Sequence, residues 1–283
     1  MEYGGTGATN VTDARKNLGV RAVARNLLDN SDFRNPVNQR GFAGGAVGPY
    51  QYCIDRWCNY TEANVNLEFS LSDNGITFSK TVDAQLSQYI PNISRLFGKM
   101  ITVALGFPDG TVVCNCATVP NTAWSSIVSA HYGAIRIMAH TFDGSKGVIF
   151  INAVEGITIS WAALYEGEYT AETLPEYQPK EYIVELLNCR RYYRVFHRHG
   201  FRPYNASSST RYYRIPIDPP MIAIPTVTVE GCTERPINSW TATGATIAVS
   251  SPSRTEFTIS ATGNNSATDF SIVIDSIIIS ADL

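Results

Sequence analysis

The chain has 283 residues, enough for one large domain or two smaller ones. Its 44% hydrophobic and 17% charged residues are typical of a packed globular protein and argue against a disordered one. A net charge of −3 argues against general attraction to nucleic acid or to an anionic membrane surface.

Neither a signal peptide nor a membrane span is predicted. The chain begins without a basic region followed by an apolar core, and it contains no run of about 18 apolar residues. We therefore expect synthesis in a reducing cytoplasm and release by a route other than secretion. Cys114 and Cys116 lack the spacing of a zinc site, and Cys53 and Cys58 could be bridged in principle. The simpler prediction is six buried free thiols.

The first 170 residues divide into a lead-in and a β-domain. Residues 1–25 are small, polar and Gly-rich, with a possible short helix over Asp13–Leu18. Residues 26–170 alternate apolar and polar side chains in short segments, which predicts an antiparallel β-sandwich or jelly roll. Asp73-Asn74-Gly75 predicts a hairpin turn. The predicted strands are Val65–Leu71, Ile76–Val82, Lys99–Phe107, Thr111–Cys114, Ala134–Phe142, Val148–Val154 and Ile157–Leu164.

The remaining residues predict a linker, a helix and a second β-domain. Over 171–191, Pro175 and Pro179 bracket an extended linker, and a helix follows at Glu181–Arg191. In that helix Ile183, Leu186 and Leu187 share one face. Residues 192–283 return to strands, and their last apolar run indicates packing against further copies of the chain. The strands are predicted at Tyr192–Arg198, Tyr212–Ile217, Thr226–Glu230, Thr246–Ser250, Thr255–Ala261 and Phe270–Ser280.

Several short motifs, weak singly, together resemble a known family. Asn26–Phe33, Gln39–Gly41 and Asp55–Trp57 are similar to the opening of the jelly-roll modules, related to carbohydrate-binding modules, of bacteriophage fibre proteins. In that family the first stretch forms the opening strand and Asp-Arg-Trp lies on a later strand. Further motifs resemble the distal part of a tail or head fibre and its trimerising tip: Gly5–Thr9, Ala14–Val20, Gly98-Lys99, Trp161–Gly167, Pro175–Lys180, Glu185–Tyr193, Pro225–Thr228 and Ile277–Leu283.

The resemblance implies a mainly β, homotrimeric virion fibre, assembled in the bacterial host cytoplasm. Its expected architecture is a jelly-roll β-sandwich, a short helix and a smaller C-terminal β-domain. Its expected partners are further copies of itself, other virion proteins at the N-terminal end, and a host surface polysaccharide or teichoic-type polymer. Nucleic acid and membrane are not expected partners. A purely structural virion part and a glycan depolymerase stay open as alternatives.

Catalytic motifs are absent from the sequence. Glycan hydrolysis needs two facing carboxylates, and none of Asp55, Glu62, Glu68, Asp73 and Asp83 is set off as a pair by its spacing. The sequence contains no nucleophile elbow and no phosphate-binding loop. His131 and His140 are expected to be structural histidines whose hydrogen bonds are satisfied. We therefore predict a protein that is not an enzyme.

Sugar recognition requires aromatic faces for the sugar C–H surfaces and polar groups for the hydroxyls. The predicted glycan-binding residues are Trp124, Tyr132, Tyr204, Arg211 and Trp240, whereas Trp57 is expected in the core. Trp240 is equally suited to a trimer interface. Seven arginines without any acidic residue lie between Arg190 and Arg214. They either pair with acids elsewhere in a trimer, stack on tyrosines, or bind an anionic glycan.

His197 and His199 form a possible metal motif. On a regular strand the two side chains share a face, so three copies around an axis would present six imidazoles to an iron-type ion. If the helix instead continues to Gly200, the two rings diverge and act as cations at a helix C-terminus. No other cofactor is expected.

Overall fold

The computed structural model describes residues 5, 7–9, 14, 17–18, 24–61, 63–122, 125–142, 146–201, 210–236, 245–263 and 270–282. Side chains are not described at 199, 201, 211, 233–236, 245, 263 and 270–271. The chain forms two compact units, Met1–Glu181 and Tyr182–Leu283. Their boundary falls within the segment predicted as linker and helix. Most of the predicted helix over Asp13–Leu18 lies outside the described residues.

The first unit is built from antiparallel strands in three sheets. The sheet orders are β1-β3-β4-β11, β2-β5-β10-β9-β8 and β12-β6-β7. Side chains from all three sheets meet in one hydrophobic core, an arrangement consistent with a β-sandwich. The strands are β1 Gly45–Val47, β2 Cys58–Tyr60, β3 Leu67–Ser72, β4 Gly75–Phe78, β5 Val82–Pro91, β6 Met100–Gly106, β7 Val112–Thr118, β8 Ser126–Tyr132, β9 Ile135–Thr141, β10 Lys146–Ala153, β11 Thr158–Ile159 and β12 Trp161–Glu166. A 3-10 helix spans Ile93–Leu96.

The predicted hairpin between β3 and β4 is confirmed, with Ser72 paired to Gly75. In this hairpin Gly75 has a positive φ of 125°, and a Cβ at this position would overlap the carbonyl oxygen of Ile159. Glycine is therefore required by both the backbone conformation and the close approach of β11. The predicted strand Ile157–Leu164 is wrong as a single element, because it divides at Ser160 into β11, which pairs with β4, and β12, which pairs with β6.

The family motifs near the start hold this unit together, but not as strands. Residues 26–33 run beside β12 as irregular backbone with one isolated bridge, and Asp55–Trp57 forms a turn before β2. Arg56, with φ 74°, donates from Nη2 to the carbonyl oxygen of Tyr89 at 2.6 Å and faces Asp29 at 3.6 Å. The core prediction for Trp57 is confirmed, because the residue is fully buried and its Nε1 donates to the carbonyl oxygen of Asn30 at 2.7 Å.

The second unit contains an α-helix and two three-stranded antiparallel sheets. Helix α1 spans Tyr182–Cys189, and the sheet orders are β13-β18-β15 and β14-β17-β16. The strand predictions for this region are confirmed. The strands are β13 Tyr193–Phe201, β14 Thr210–Pro216, β15 Thr226–Pro236, β16 Ala245–Ser250, β17 Glu256–Gly263 and β18 Phe270–Ser280.

Strand β18 is the centre of its sheet, and the isoleucines at 272, 274, 277 and 279 are buried. They pack with Phe257 and Ile259 of β17 in a core between the two sheets. The apolar character of β18 is therefore satisfied within one chain. It does not require further copies, contrary to the sequence-based reasoning.

Helix α1 buries the side opposite to the one its apolar pattern suggests. Glu185 and Cys189 are buried, while the exposed fractions of Ile183, Val184 and Leu187 are 56%, 44% and 43%. The prediction of a helix in this segment is confirmed, with bounds shorter by one residue at the start and two at the end. Its apolar stripe is left facing outward.

Residues 168–181, which we call the strap, pack against the first unit. Tyr177 stacks on Trp161 with ring centroids 4.4 Å apart and an interplanar angle of 8°. Lys180 Nζ donates to the carbonyl oxygen of Leu28 at 2.7 Å and lies 3.0 Å from Asp29 Oδ1. The segment predicted as a linker is thus attached to the first unit along its length.

All six cysteines are free thiols, as predicted. Burial is complete for Cys53, Cys58 and Cys189, whereas the thiols at 114, 116 and 232 are only half-buried. Across the described part of the chain, no helix has the length and apolar character needed to cross a membrane.

Candidate binding groove on the five-stranded sheet

A groove of about 460 Å³ lies on the five-stranded sheet, on the face turned away from the main core. Strand β9 sets this geometry, because Ile135 and Ile137 enter the core while Arg136, Met138 and His140 point to the other face. The groove is lined by Tyr60, Thr61, Asp83, Gln85, Ser126, Arg136, Met138, His140, Thr141, Phe142 and Phe150.

The floor of the groove is apolar and aromatic. Met138 and Phe150 belong to a small cluster, separate from the main core, that also includes Tyr60 and Phe142. The ring centroid of Tyr60 lies 4.9 Å from that of Phe150 and 6.4 Å from that of Phe142. Rings held in this way present a preformed apolar surface to a ligand.

Polar side chains without partners stand around this floor. The Arg136 guanidinium makes no hydrogen bond or ion pair with any described residue, and its coulombic effect reaches His140. His140 Nε2 is buried without a hydrogen-bond partner, and the ring meets Phe150 edge-on at 5.2 Å. Burial, and secondarily the charge of Arg136, lowers the pKa of His140 below its ordinary value.

Backbone and hydroxyl hydrogen bonds make the groove rigid. The backbone N–H of Arg136 donates to Asn152 Oδ1, and Asn152 Nδ2 donates to the carbonyl oxygen of Ala134 at 3.0 Å. Thr141 Oγ1 accepts from the backbone N–H of Ser125 at 3.1 Å and donates to the carbonyl oxygen of Thr122 at 2.9 Å. Both ends of β9 are therefore fixed before any ligand binds, which reduces the entropic cost of binding.

A second, smaller cavity of about 230 Å³ lies between the strap and the sheet β12-β6-β7. Its aromatic walls are Trp161 and Tyr177, whose stacked faces cover each other. Arg34 lies 5.9 Å from the Tyr177 ring centroid and pairs with Asp32 at 2.7 Å. The two aromatic faces and Arg34 already have partners, so this cavity is a weaker candidate than the groove.

Of the predicted glycan-binding residues, Trp124, Tyr204 and Trp240 lie outside the described residues. Arg211 lies on β14 with its backbone paired to Ala261, and its side chain is not described. Tyr132, at the end of β8, is 42% exposed, and its ring centroid lies 4.7 Å from that of Phe107. It does not line the groove. The structure therefore leaves these five predictions untested.

The pair His197 and His199 lies on a strand, so the alternative of a continuing helix is wrong. Arg198 between them has φ 48°, which interrupts the regular alternation assumed for the metal motif. His197 is exposed and paired with Ser276, and His199 is paired with Ile274. No group of three or more His, Cys, Asp or Glu side chains suited to a metal occurs in the described ranges. An ion shared between copies stays a prediction.

The arginine-rich segment does not form one patch in the described chain. Arg194 is buried, and its Nη2 donates to the carbonyl oxygen of Pro219 at 3.1 Å. Burial, and secondarily the charge of Arg190, lowers its pKa. Arg214 lies 3.5 Å from Glu256 of the same chain. Pairing with acids is thus found for part of the segment, within one chain.

Sequence reasoning missed the groove because it missed β2, β5 and β8. Strand β5 carries Gln85, Ser87 and Gln88 among its apolar residues, so its alternation is weak. One signal was available, since Arg136, Met138 and His140 alternate along a correctly predicted strand. The expectation that hydrogen bonds satisfy His140 is wrong at Nε2.

No protein-family model, curated protein or solved structure matches this chain. The likeness to phage fibres therefore depends on the sequence motifs alone.

Proposed function

We propose that the chain is a non-catalytic bacteriophage fibre protein that attaches the virion to a host-cell surface glycan. We propose further that the groove on the five-stranded sheet is its glycan-binding site. The observation that carries this proposal is the combination of an aromatic floor with unpartnered polar side chains in a preformed groove. Tyr60 and Phe142 supply ring faces for sugar C–H groups, while Gln85, Arg136 and His140 supply hydrogen bonds.

Attachment by such a site depends on multivalency. One groove of this size binds a short glycan segment, and three grooves in a trimer, repeated over several fibres, raise the effective concentration of each further contact. The jelly-roll topology, the homotrimer and contacts of the N-terminal end with other virion proteins belong to the same proposal.

The outward stripe of α1 supports the homotrimer. An eight-residue helix is marginal by itself, and its exposed Ile183 and Val184 are β-branched residues with reduced helix propensity. Ile224, which is 69% exposed, lies in a loop attached to the end of this helix through the Ile222 N–H and the Arg191 carbonyl oxygen, 2.8 Å apart. Burying these side chains against further copies removes apolar surface from water.

The alternative of a depolymerase receives less support from the groove. Both glycosidase mechanisms need two carboxyl groups across the scissile bond. Among the described lining residues Asp83 is the single carboxylate. The lining therefore favours binding over hydrolysis.

The binding proposal is tested with full-length protein on immobilised host polysaccharides. We expect Tyr60→Ala to lose binding, whereas Tyr132→Ala, which removes a tyrosine ring outside the groove, retains it. Circular dichroism of both variants checks that each is folded. Loss of binding in Tyr132→Ala with full retention in Tyr60→Ala would reject the groove as the site.

The homotrimer is tested by the mass of the full chain in solution. We expect about three times 31.1 kDa for the native protein and a smaller species for Leu187→Glu. Asn188→Glu, which adds the same charge at the adjacent position of the helix, serves as the matched control. A native protein that is monomeric at all concentrations would refute the association.

A further inference from the structure

Arg136 is unusual among the partly buried arginines of the first unit because its charge is not compensated. Arg40 lies 3.7 Å from Asp55, and the fully buried Arg56 lies 3.6 Å from Asp29. The Arg136 guanidinium, by contrast, points into the groove without an ion pair to any described residue. A half-buried cation in a groove attracts an anion more strongly than an exposed cation does, because water screens it less.

His140 adds a second unpartnered group on the same strand face. It lies four residues from Arg136, about 13 Å along β9, with Met138 between them. Its Nε2 is buried and has no hydrogen-bond partner, although buried polar atoms are rarely left in this state. A ligand that brings one oxygen to each of these two side chains would satisfy the imidazole and compensate the guanidinium.

Asp83 is the negatively charged side chain among the described lining residues, but its position weakens its electrostatic repulsion of a bound anion. It lies on β5, which is separated from β9 by β10, so the strands are about 10 Å apart. That separation is about one Debye length at physiological ionic strength, and Asp83 is exposed to the screening solvent. A direct charge-assisted hydrogen bond to Arg136 therefore outweighs repulsion from Asp83.

We infer that the glycan bound in the groove is acidic, and that Arg136 binds its carboxylate or phosphate oxygens. This inference rests on the proposed function, since it specifies the ligand class of the same groove. In the bound state the guanidinium donates two parallel hydrogen bonds to the oxyanion, and the sugar ring packs over Met138 and Phe150. His140 Nε2 makes a hydrogen bond to the same acidic sugar or to its neighbour.

The experiment compares paired probes that differ only in charge. The probes are uronate-containing oligosaccharides and glycerol-phosphate oligomers, each with its carboxyl-reduced or dephosphorylated counterpart. Full-length native protein is measured beside Arg136→Gln and Arg95→Gln. Arg95 is exposed in the 3-10 helix of the same unit, so its variant makes the same change in net charge away from the groove.

We expect the native protein and Arg95→Gln to bind at least one acidic probe about tenfold or more tightly than its neutral counterpart. Arg136→Gln should lose this preference, so that it binds the acidic and the neutral probe of each pair with similar affinity. The pair in which the preference appears distinguishes a carboxylate from a phosphate. Equal or tighter binding of the neutral probes, or equal loss in both variants, would overturn the inference.

Two negative results are distinguishable. If the native protein and Arg136→Gln both bind acidic and neutral probes equally, and Tyr60→Ala loses both, the acidic ligand is rejected and the groove is kept as a glycan site. Failure of the native protein to bind any probe, acidic or neutral, rejects the inference together with the proposed function of the groove.

Discussion

Replacing Trp57 with phenylalanine tests whether the Asp-Arg-Trp motif stabilises the first unit rather than contacting a ligand. Trp57 is fully buried, its Nε1 donates to the carbonyl oxygen of Asn30 at 2.7 Å, and its ring meets Phe33 edge-on at 5.0 Å. Phenylalanine retains an aromatic ring but removes the donor and part of the ring volume.

The expected loss has two parts. Leaving the buried carbonyl oxygen of Asn30 without its donor costs about 1–3 kcal/mol. The smaller ring removes the equivalent of two buried methylene groups, which costs about 1–2 kcal/mol. We therefore expect the free energy of unfolding to fall by about 3 kcal/mol, a lowering of the melting temperature by roughly 6–12 °C for a unit of this size.

The assay is urea and thermal unfolding of the full chain, followed by near-ultraviolet circular dichroism. Trp161→Phe is the matched control, because the Trp161 indole stacks on Tyr177 and makes no hydrogen bond with the described residues. We expect the control to lose about 1–2 kcal/mol. If Trp57→Phe and Trp161→Phe are equally destabilised, the hydrogen bond to Asn30 contributes nothing and the reasoning is refuted.

Three further predictions concern glycine geometry, pH and the strap. Gly75→Ala should lower the free energy of unfolding in urea by more than about 3 kcal/mol, because the added Cβ would overlap the β11 backbone. Gly110 also has a positive φ, 86°, but has open space around it, so Gly110→Ala should lose only about 1–2 kcal/mol. Similar losses for both would contradict the close-approach argument. The pKa of His140 is lower in the folded chain than in the unfolded chain, so the unfolded chain binds the proton first as pH falls. The free energy of unfolding should therefore decrease as pH is lowered through about 6.5. His140→Gln should lack this decrease when unfolding is measured as a function of pH. A pH profile unchanged by the substitution would contradict it. Lys180→Met removes one of the cations beside Asp29, so it should lower the free energy of unfolding by about 1–2 kcal/mol. It should also increase amide hydrogen exchange in the strap. Unchanged exchange there would show that Lys180 does not hold the strap in place.

Local sequence patterns predicted the elements whose signal is complete within a few residues. The β3–β4 hairpin follows from alternation on both sides of Asp73-Asn74, and β18 follows from its run of β-branched residues. Helix α1 was predicted from spacing, but spacing does not say which side is buried. The structure buries Glu185 and leaves Leu187 exposed, an orientation that the spacing alone does not determine.

The groove could not be predicted in the same way. Its main residues, Tyr60, Asp83, Arg136 and Phe150, come from four strands and span about a third of the chain. Each strand alone has an ordinary sequence, and the order β2-β5-β10-β9 that makes them neighbours exists only after long-range pairing.

By itself, the sequence determined the mainly β class, the positions of most strands and the burial of Trp57, because side-chain periodicity and turn chemistry act over a few residues. Only the tertiary structure decided which arginines are buried, which are paired with an acidic side chain and which are left unpaired. Arg194 became buried and Arg214 met Glu256, while Arg136 was left unpaired in a groove. The reason is physical: the cost of a charge depends on its solvent and partners, and both are supplied by segments far away in the chain.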